Sequence, residues 1–328
     1  MSFKHFVRDS WLTASYYSGL SHLYHTLAGR RRGIISYHNV LPIETLPVFD
    51  TYNVDQTAVV FDKQLAFLKK HFRFLPIEEL DSSKKAGFFL TVDDGMLNNY
   101  QILAPILEKH QLNALFAICP AFVDAQLPHI WRDHLFLLFR ENKNIFWLPD
   151  HISPSLPLNQ LTRSLKKYIY DNQIADIYGF VKELCQKNNW PYEALPFEPL
   201  RYKFMSWEQI LDLQRRGHRI ASHTMTHRIL RFLNNEEKRY ELSASKSRLE
   251  EKLKTTIDIL VYPYGSINEI DQATVNMAEE TGYKTALMNV QTHTFDNLAF
   301  AQPRFALPPT THKAHLHAIG SGFKFLFR

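Results

Sequence analysis

The stretch "GFFLTVDDGMLNNY" at residues 87–100 runs an apolar segment into two adjacent carboxylates and a second glycine. Gly87 to Val92 have the composition of a buried strand, so Asp93 and Asp94 fall where that strand ends. Two like charges at the rim of an apolar core are costly unless something compensates them. Asp-Gly is ordinary turn punctuation after a strand, which accounts for the position but not for the pair. A cation and a proton-transfer task would account for both.

Outward from this segment, short apolar runs alternate with helical patterns. Candidate strands are 33–38, 87–94, 114–119, 218–223, 258–265, 284–288 and 304–307. Between them, 61–72, 98–110, 206–217, 235–253 and 268–282 have amphipathic helical periodicity. "SWEQ" forms a capping box on Ser206 and Gln209. Such alternation implies parallel strands covered by helices. The expected fold is α/β, a distorted or incomplete (β/α)7 barrel, with an open doubly wound sheet as the alternative. Residues 124–205 break the rhythm with Trp, Pro, Tyr and helix-like stretches such as 161–188. They read as a mainly helical insertion at the end of the fold that carries chemistry. The domain expectation is an N-terminal helical segment over 1–32 and one domain over 33–328.

With 328 residues and 45% hydrophobic content, the chain can bury one large core or two smaller ones. The composition is that of a soluble globular protein, without low-complexity tracts or repeats. Cys119 and Cys185 have no zinc or disulfide spacing and read as free thiols, which fits a reducing compartment. No secretory h-region and no bilayer-length apolar run is visible, so the expected location is cytoplasmic. Phe3, Val7, Leu12, Tyr16, Leu20, Leu23, Tyr24 and Leu27 recur at roughly helical spacing beside Lys4, Arg8 and Arg30 to Arg32. The favoured reading is a helix packed on the body; the alternative is peripheral contact with the inner face of a membrane. "GFKFLFR" at 322–328 is a terminal strand or a second surface contact. A net charge of +5 favours acidic partners only mildly, and no basic-aromatic constellation marks a nucleic-acid interface. Nothing sets the oligomeric state.

Four candidate strands end in groups capable of chemistry: His38, the Asp93-Asp94 pair, His223 and the "YPYG" of 262–265. His223 and His227 are four apart, the spacing of one face of a helical turn, and two such imidazoles with a carboxylate are a common zinc arrangement. An isolated HxxxH in a chain with 16 histidines is weak; one that follows a strand, alongside Asp-Asp-Gly at another strand end, is strong.

These residues resemble the polysaccharide deacetylases, the carbohydrate esterase group with a NodB-like homology domain. Thr91-Val92-Asp93-Asp94-Gly95 is similar to the first motif, His223-Thr224-Met225-Thr226-His227 to the second, and Val261-Tyr262-Pro263-Tyr264-Gly265 to the third. "SYHNV" resembles the Tyr-His opening of one branch. The resemblance covers about 33–123 and 204–310. It implies metal-assisted hydrolysis of an N-acetyl group on an amino sugar, with an N-acetylated saccharide as substrate and a divalent metal, Zn2+, as cofactor. It implies metal ligation by Asp94, His223 and His227, general-base duty for Asp93, and an oxyanion contact from the backbone N–H of Tyr264. His38 is preferred as general acid over His317, which lies in a sequence that reads as a helix. Val261 stands where an arginine is usual, and Arg304 is the candidate replacement; the Asp-x-x-Asp-Trp motif is not evident. Other readings are a deformylase or other amidase on the same scaffold, and a catalytically silent glycan-binding protein.

Overall fold

The computed structural model describes residues 3–27, 32–42, 55–80, 82, 85–142, 145–149, 152–193, 199–290, 295 and 297–323, with N-terminal side chains from Asp9 onward. Arg30, Arg31 and residues 324–328, which the sequence reading groups with surface contacts, lie outside this set.

The described chain opens with two helices, α1 (Phe3–Tyr17) and α2 (Leu20–Leu27), followed by β1 (Arg32–Tyr37). The short β2 (Asn39–Leu41) and β3 (Asp55–Thr57) pair with each other and lead into α3 (Ala58–His71). Next come β4 (Gly87–Val92), a π-helical turn at Asn99–Leu103, α4 (Ala104–Lys109) and β5 (Leu115–Ile118). Between β5 and β6 (Arg219–Ser222) the chain makes α5 (Pro120–Val123), α6 (Trp131–Glu141), α7 (Leu158–Asp171), α8 (Ile177–Lys187), α9 (Pro199–Tyr202) and α10 (Trp207–Arg215). It ends with α11 (Asn235–Leu253), β7 (Ile259–Val261), α12 (Gln272–Glu280), β8 (Thr285–Met288), β9 (Gln302–Pro303), β10 (Phe305–Ala306) and α13 (Lys313–Gly320). Among the described residues, no helix is long and apolar enough to cross a membrane.

All neighbours in the main sheet are parallel, in the order β10-β1-β4-β5-β6-β7-β8-β9. β9 and β10 are consecutive pieces of one segment. Gln302–Pro303 pairs with β8 at one edge and Phe305–Ala306 with β1 at the other. This segment therefore draws both free edges together, and the sheet is a nearly closed barrel, not an open doubly wound one. Closing a sheet removes the unpaired backbone groups that an edge exposes. Arg304 sits on the seam, its N–H bonded to the Met288 carbonyl at 2.7 Å.

Strand periodicity sorts side chains between two cores. Ile35, Leu90, Val92, Phe116, Ile118 and Leu260 pack outward under the helices. Ile34, Phe89, Leu115, Ala117, Ala221, Ile259 and Leu287 fill the barrel interior. Following the inward set two residues at a time leads from Ile34 through Ser36 to His38, from Phe89 through Thr91 to Asp93, and from Ala221 to His223. The polar rim is thus the continuation of an apolar core.

The stretch 161–188 is not one helix. α7 and α8 are separated by a turn in which Gln173 has φ 47°, and Asp176 caps α8 by accepting from Gly179 N–H. Their apolar faces join Trp131, Leu135 and Leu138 of α6 in a separate core that also takes in Met96, Cys119 and Ile229 from the strand-end loops. The returning chain runs beside the Asp-Asp-Gly loop, with Leu97 N–H to Lys203 O at 2.7 Å and Met205 N–H to Gly95 O at 2.9 Å.

Candidate active site

The Asp93-Asp94 pair is divided between two environments. Asp94 has φ 78° and Gly95 φ 73°, so the chain turns sharply after β4 and the two carboxylates diverge. Asp94 Oδ1 lies 3.5 Å from His223 Nε2 and 3.3 Å from His227 Nε2. These three buried groups place their donor atoms within 4.8 Å of one another. Asp93 faces Arg304, which donates from both terminal nitrogens, Nη1 to Oδ1 at 2.7 Å and Nη2 to Oδ2 at 2.9 Å. Nη1 also reaches Thr91 Oγ1 at 2.9 Å. His38 Nε2 approaches Asp93 Oδ2 at 3.6 Å.

His223 and His227 meet by a different route from a helical turn. Residues 223–229 have no helical conformation, and Thr224 and His227 have φ 63° and 59°. The loop is held from α11, where buried Glu241 accepts from Thr226 N–H at 2.8 Å and from the Thr226 hydroxyl. Four of the nine non-glycine residues with positive φ among the described residues are Asp94, Thr224, His227 and Tyr264. Each such conformation costs roughly 1–3 kcal/mol, and this clustering is typical of functional sites. At Gly265, φ 73°, a Cβ would lie 2.4 Å from Asn289 N, so this turn requires glycine.

The hydrogen-bond network assigns the imidazole tautomers. His223 Nδ1 is 2.6 Å from the Val261 carbonyl, which can only accept, so Nδ1 carries the proton and Nε2 presents a lone pair. The Tyr264 hydroxyl accepts from Trp131 Nε1–H at 2.5 Å and donates to the His227 carbonyl at 3.3 Å. Its remaining lone pair accepts from His227 Nδ1–H at 2.9 Å, which again leaves Nε2 unprotonated. Burial pushes the His227 imidazole down to about 4, against the pull of Asp94. Two lone pairs and a carboxylate oxygen thus face one another. They repel unless a cation lies among them, and this donor set suits a zinc-class ion.

For both aspartates, burial alone would raise the carboxyl pKa. At Asp93 the Arg304 guanidinium, then His223 and His38, overcome it and hold the group below its ordinary value. At Asp94 it is overcome, and the group held well below that value, when His223 and His227 donate to it from Nε2–H, the alternative to the lone-pair arrangement that an ion would require. Asp93 is thus ionised and oriented, with the partly exposed His38 beside it.

His38 is at the site; His317 is not. His317 lies in α13 against Ser21, His22 and Phe72. Arg304 supplies the guanidinium that Val261 cannot, while Val261 contributes its carbonyl. The sequence points to Tyr264 only for its backbone N–H, but its phenol also joins His227 to Trp131 of the insertion. Three further residues escaped that reading: Trp131, Glu241 and Asn99, whose Nδ2 donates to the His38 carbonyl at 2.5 Å. Only Asn99 had a signal, its place in the "DDGMLNNY" stretch.

A model of the polysaccharide deacetylase family matches residues 81–286. The chain belongs to that family, whose activity is hydrolysis of acetyl groups on saccharides. No curated protein matches the chain. Among solved structures, the Streptococcus pyogenes deacetylase PplD in complex with acetate aligns with TM-score 0.53 and 17% identity, over 87% of this chain and 96% of that one. IcaB from Ammonifex degensii aligns with TM-score 0.54 and 16% identity, over 88% and 97%. A polysaccharide deacetylase from Bacillus cereus aligns with TM-score 0.53 and 16% identity, over 89% and 69%. At these identities the likeness is one of fold.

Proposed function

We propose that this chain is a metal-dependent N-deacetylase of an amino sugar. The observation that carries the reading is the division of the paired carboxylates. Asp94 is committed to two imidazole Nε2 atoms, and Asp93 is committed to Arg304 with His38 alongside. A structural turn needs only one acidic residue and no such partners.

In this reading Asp94, His223 and His227 hold a divalent ion, Zn2+ by donor type. When bound, the ion supplies Lewis acidity that polarises an amide carbonyl and lowers the pKa of water. Asp93 Oδ2 takes the proton of the attacking water, with Arg304 fixing the plane of its carboxylate. His38 Nε2 gives a proton to the departing amine. The Tyr264 backbone N–H serves the developing oxyanion, presented by the strained Pro-Tyr-Gly turn.

The substrate we infer is an N-acetylated saccharide in a glycan, or one linked to lipid or nucleotide. We place the enzyme in the cytoplasm, a reading supported by the buried free thiols of Cys119 and Cys185. Exposed Trp11, Tyr17, Leu20, Leu23 and Leu27 on α1 and α2 support peripheral contact with a membrane surface. We infer one domain over 33–328, with the segment at about 124–205 inserted in it.

The test is acetate release from N-acetylhexosamine substrates, with metal content measured in parallel. Asp93→Asn is expected to lower turnover about 10²–10⁴-fold while keeping the metal, and His227→Ala to lose both. Metal loss in Asp93→Asn, or acetate release by His227→Ala, would overturn the division of roles.

A further inference from the structure

A second group of imidazoles lies away from the strand ends, where the N-terminal helices meet the barrel. His22 comes from α2, His71 is the last residue of α3, and His317 lies in α13. Their donor nitrogens lie within 4.8 Å of one another, the same bound that the Asp94 triad meets. The ring centroids of His22 and His317 are 4.0 Å apart; those of His22 and His71 are 5.9 Å, and of His71 and His317 5.8 Å. Ser21 is buried beneath them, its Oγ 3.1 Å from His317 Nδ1. Nδ1 of His317 is thus engaged with the serine hydroxyl, and Nε2 is the ring nitrogen left for coordination. His25, one helical turn from His22, lines with His71 a cavity of about 230 Å³ that also touches Phe72, Arg73 and Gly320.

We propose that His22, His71 and His317 form a second metal site, separate from the Asp94 triad, that takes a zinc-class transition ion and fastens α1 and α2 to the barrel. Zn–N bonds of about 2.0–2.1 Å at tetrahedral angles put nitrogens about 3.4 Å apart. Each ring then needs to move inward by less than about 1 Å. Three neutral imidazoles without a carboxylate select a borderline metal such as Zn2+ over oxygen-seeking Mg2+ or Ca2+. The cavity beside His71 leaves room for water as the fourth ligand.

The position explains why a clamp is useful here. The apolar cluster under the N-terminal helices is small: Leu12, Ala318 and Phe323, with Tyr24 packed against it. Much of the apolar surface of α1 and α2 faces outward instead. An ion bound by one residue from α2 and two from the barrel's outer helices would stabilise this thin interface without enlarging the core.

The experiment uses the full-length protein, stripped with chelator and dialysed against buffered Zn2+, with bound metal counted by mass spectrometry. Two ions per chain are expected for the parent, one for His22→Gln with His71→Ala, one for His223→Ala with His227→Ala, and none for all four changes. If the first variant still holds two ions, or the second holds none, the proposal fails. Because His22 and His71 are only half-buried, the first variant should fold, which circular dichroism checks. Independently of that variant, Co2+ bound to the His223→Ala, His227→Ala protein should show the intense visible bands of a four-coordinate nitrogen site. Weak octahedral bands alone would overturn the assignment. For the clamp, Zn2+ must raise the melting temperature of that same protein; an unchanged midpoint would leave no fastening role.

Discussion

Two triads in this molecule each hold three donor atoms within 4.8 Å of one another and differ in nearly everything around them. Asp94, His223 and His227 sit on loops at strand ends, with three of their neighbourhood's residues besides Asp94 at positive φ and a second carboxylate next to the first. His22, His71 and His317 sit on helices, with ring-on-ring packing and a serine beneath. The first has Asp93, Arg304 and His38 beside it; the second consists of imidazoles alone. In each place three donor atoms lie close enough together for the ion we propose there. Only the first has a second carboxylate held by a guanidinium beside its ligands, and of the two only it has non-glycine residues at positive φ.

The sharpest way to break the comparison is His38→Ala. Loss of a general acid is expected to reduce acetate release about 10²–10⁴-fold, with metal content unchanged at either triad. Full turnover would remove His38 from the mechanism and leave the first site without the acid that distinguishes it. Next comes Arg304→Met, which leaves Asp93 buried and unpaired. It should lower unfolding free energy by about 3–5 kcal/mol, read by urea denaturation, and a change under about 1 kcal/mol would mean the pair is not essential to the seam.

A smaller effect is expected for Trp131→Phe, which removes the donor to the Tyr264 hydroxyl and loosens His227. Zn2+ affinity at the first triad should fall about 10–100-fold without a change at the second, as measured by competition with a chelating dye. Equal weakening at both would show a general loss of structure instead. The smallest expected effect is pH dependence of the metal-free protein. His227 and His317 have folded values of about 4 and about 3, below the ordinary 6.5. Between pH 6.5 and about 4 the unfolded chain therefore binds more protons than the folded one, so stability falls as pH falls. Asp93 and Asp94, also held below their ordinary 3.8, add their loss only as pH falls past that value. A flat stability profile from pH 6.5 to 4 would contradict the buried neutral imidazoles.

Much of the first triad could be read from local pattern. The apolar run before Asp93, the strand before His223 and the Pro-Tyr-Gly turn each announce their position within a few residues. Arg304 was harder, because nothing near it in sequence says that it faces Asp93; it entered only because Val261 left a guanidinium missing. The route by which His223 and His227 meet was misread, since four-residue spacing suggests a helix and Glu241, on a distant helix, holds a different turn. The second triad was illegible. Residues 22, 71 and 317 share no motif, and their meeting depends on how α2, α3 and α13 pack.

The sequence by itself determined the alternation of strands and helices and the groups at the strand ends. Periods of about two and 3.6 residues are local, and burial acts on each segment separately. Tertiary structure alone decided that the Gln302–Ala306 segment closes the barrel, that Arg304 completes the Asp93 environment, and that three scattered histidines converge. Those outcomes depend on contacts between residues hundreds of positions apart, which no local period encodes.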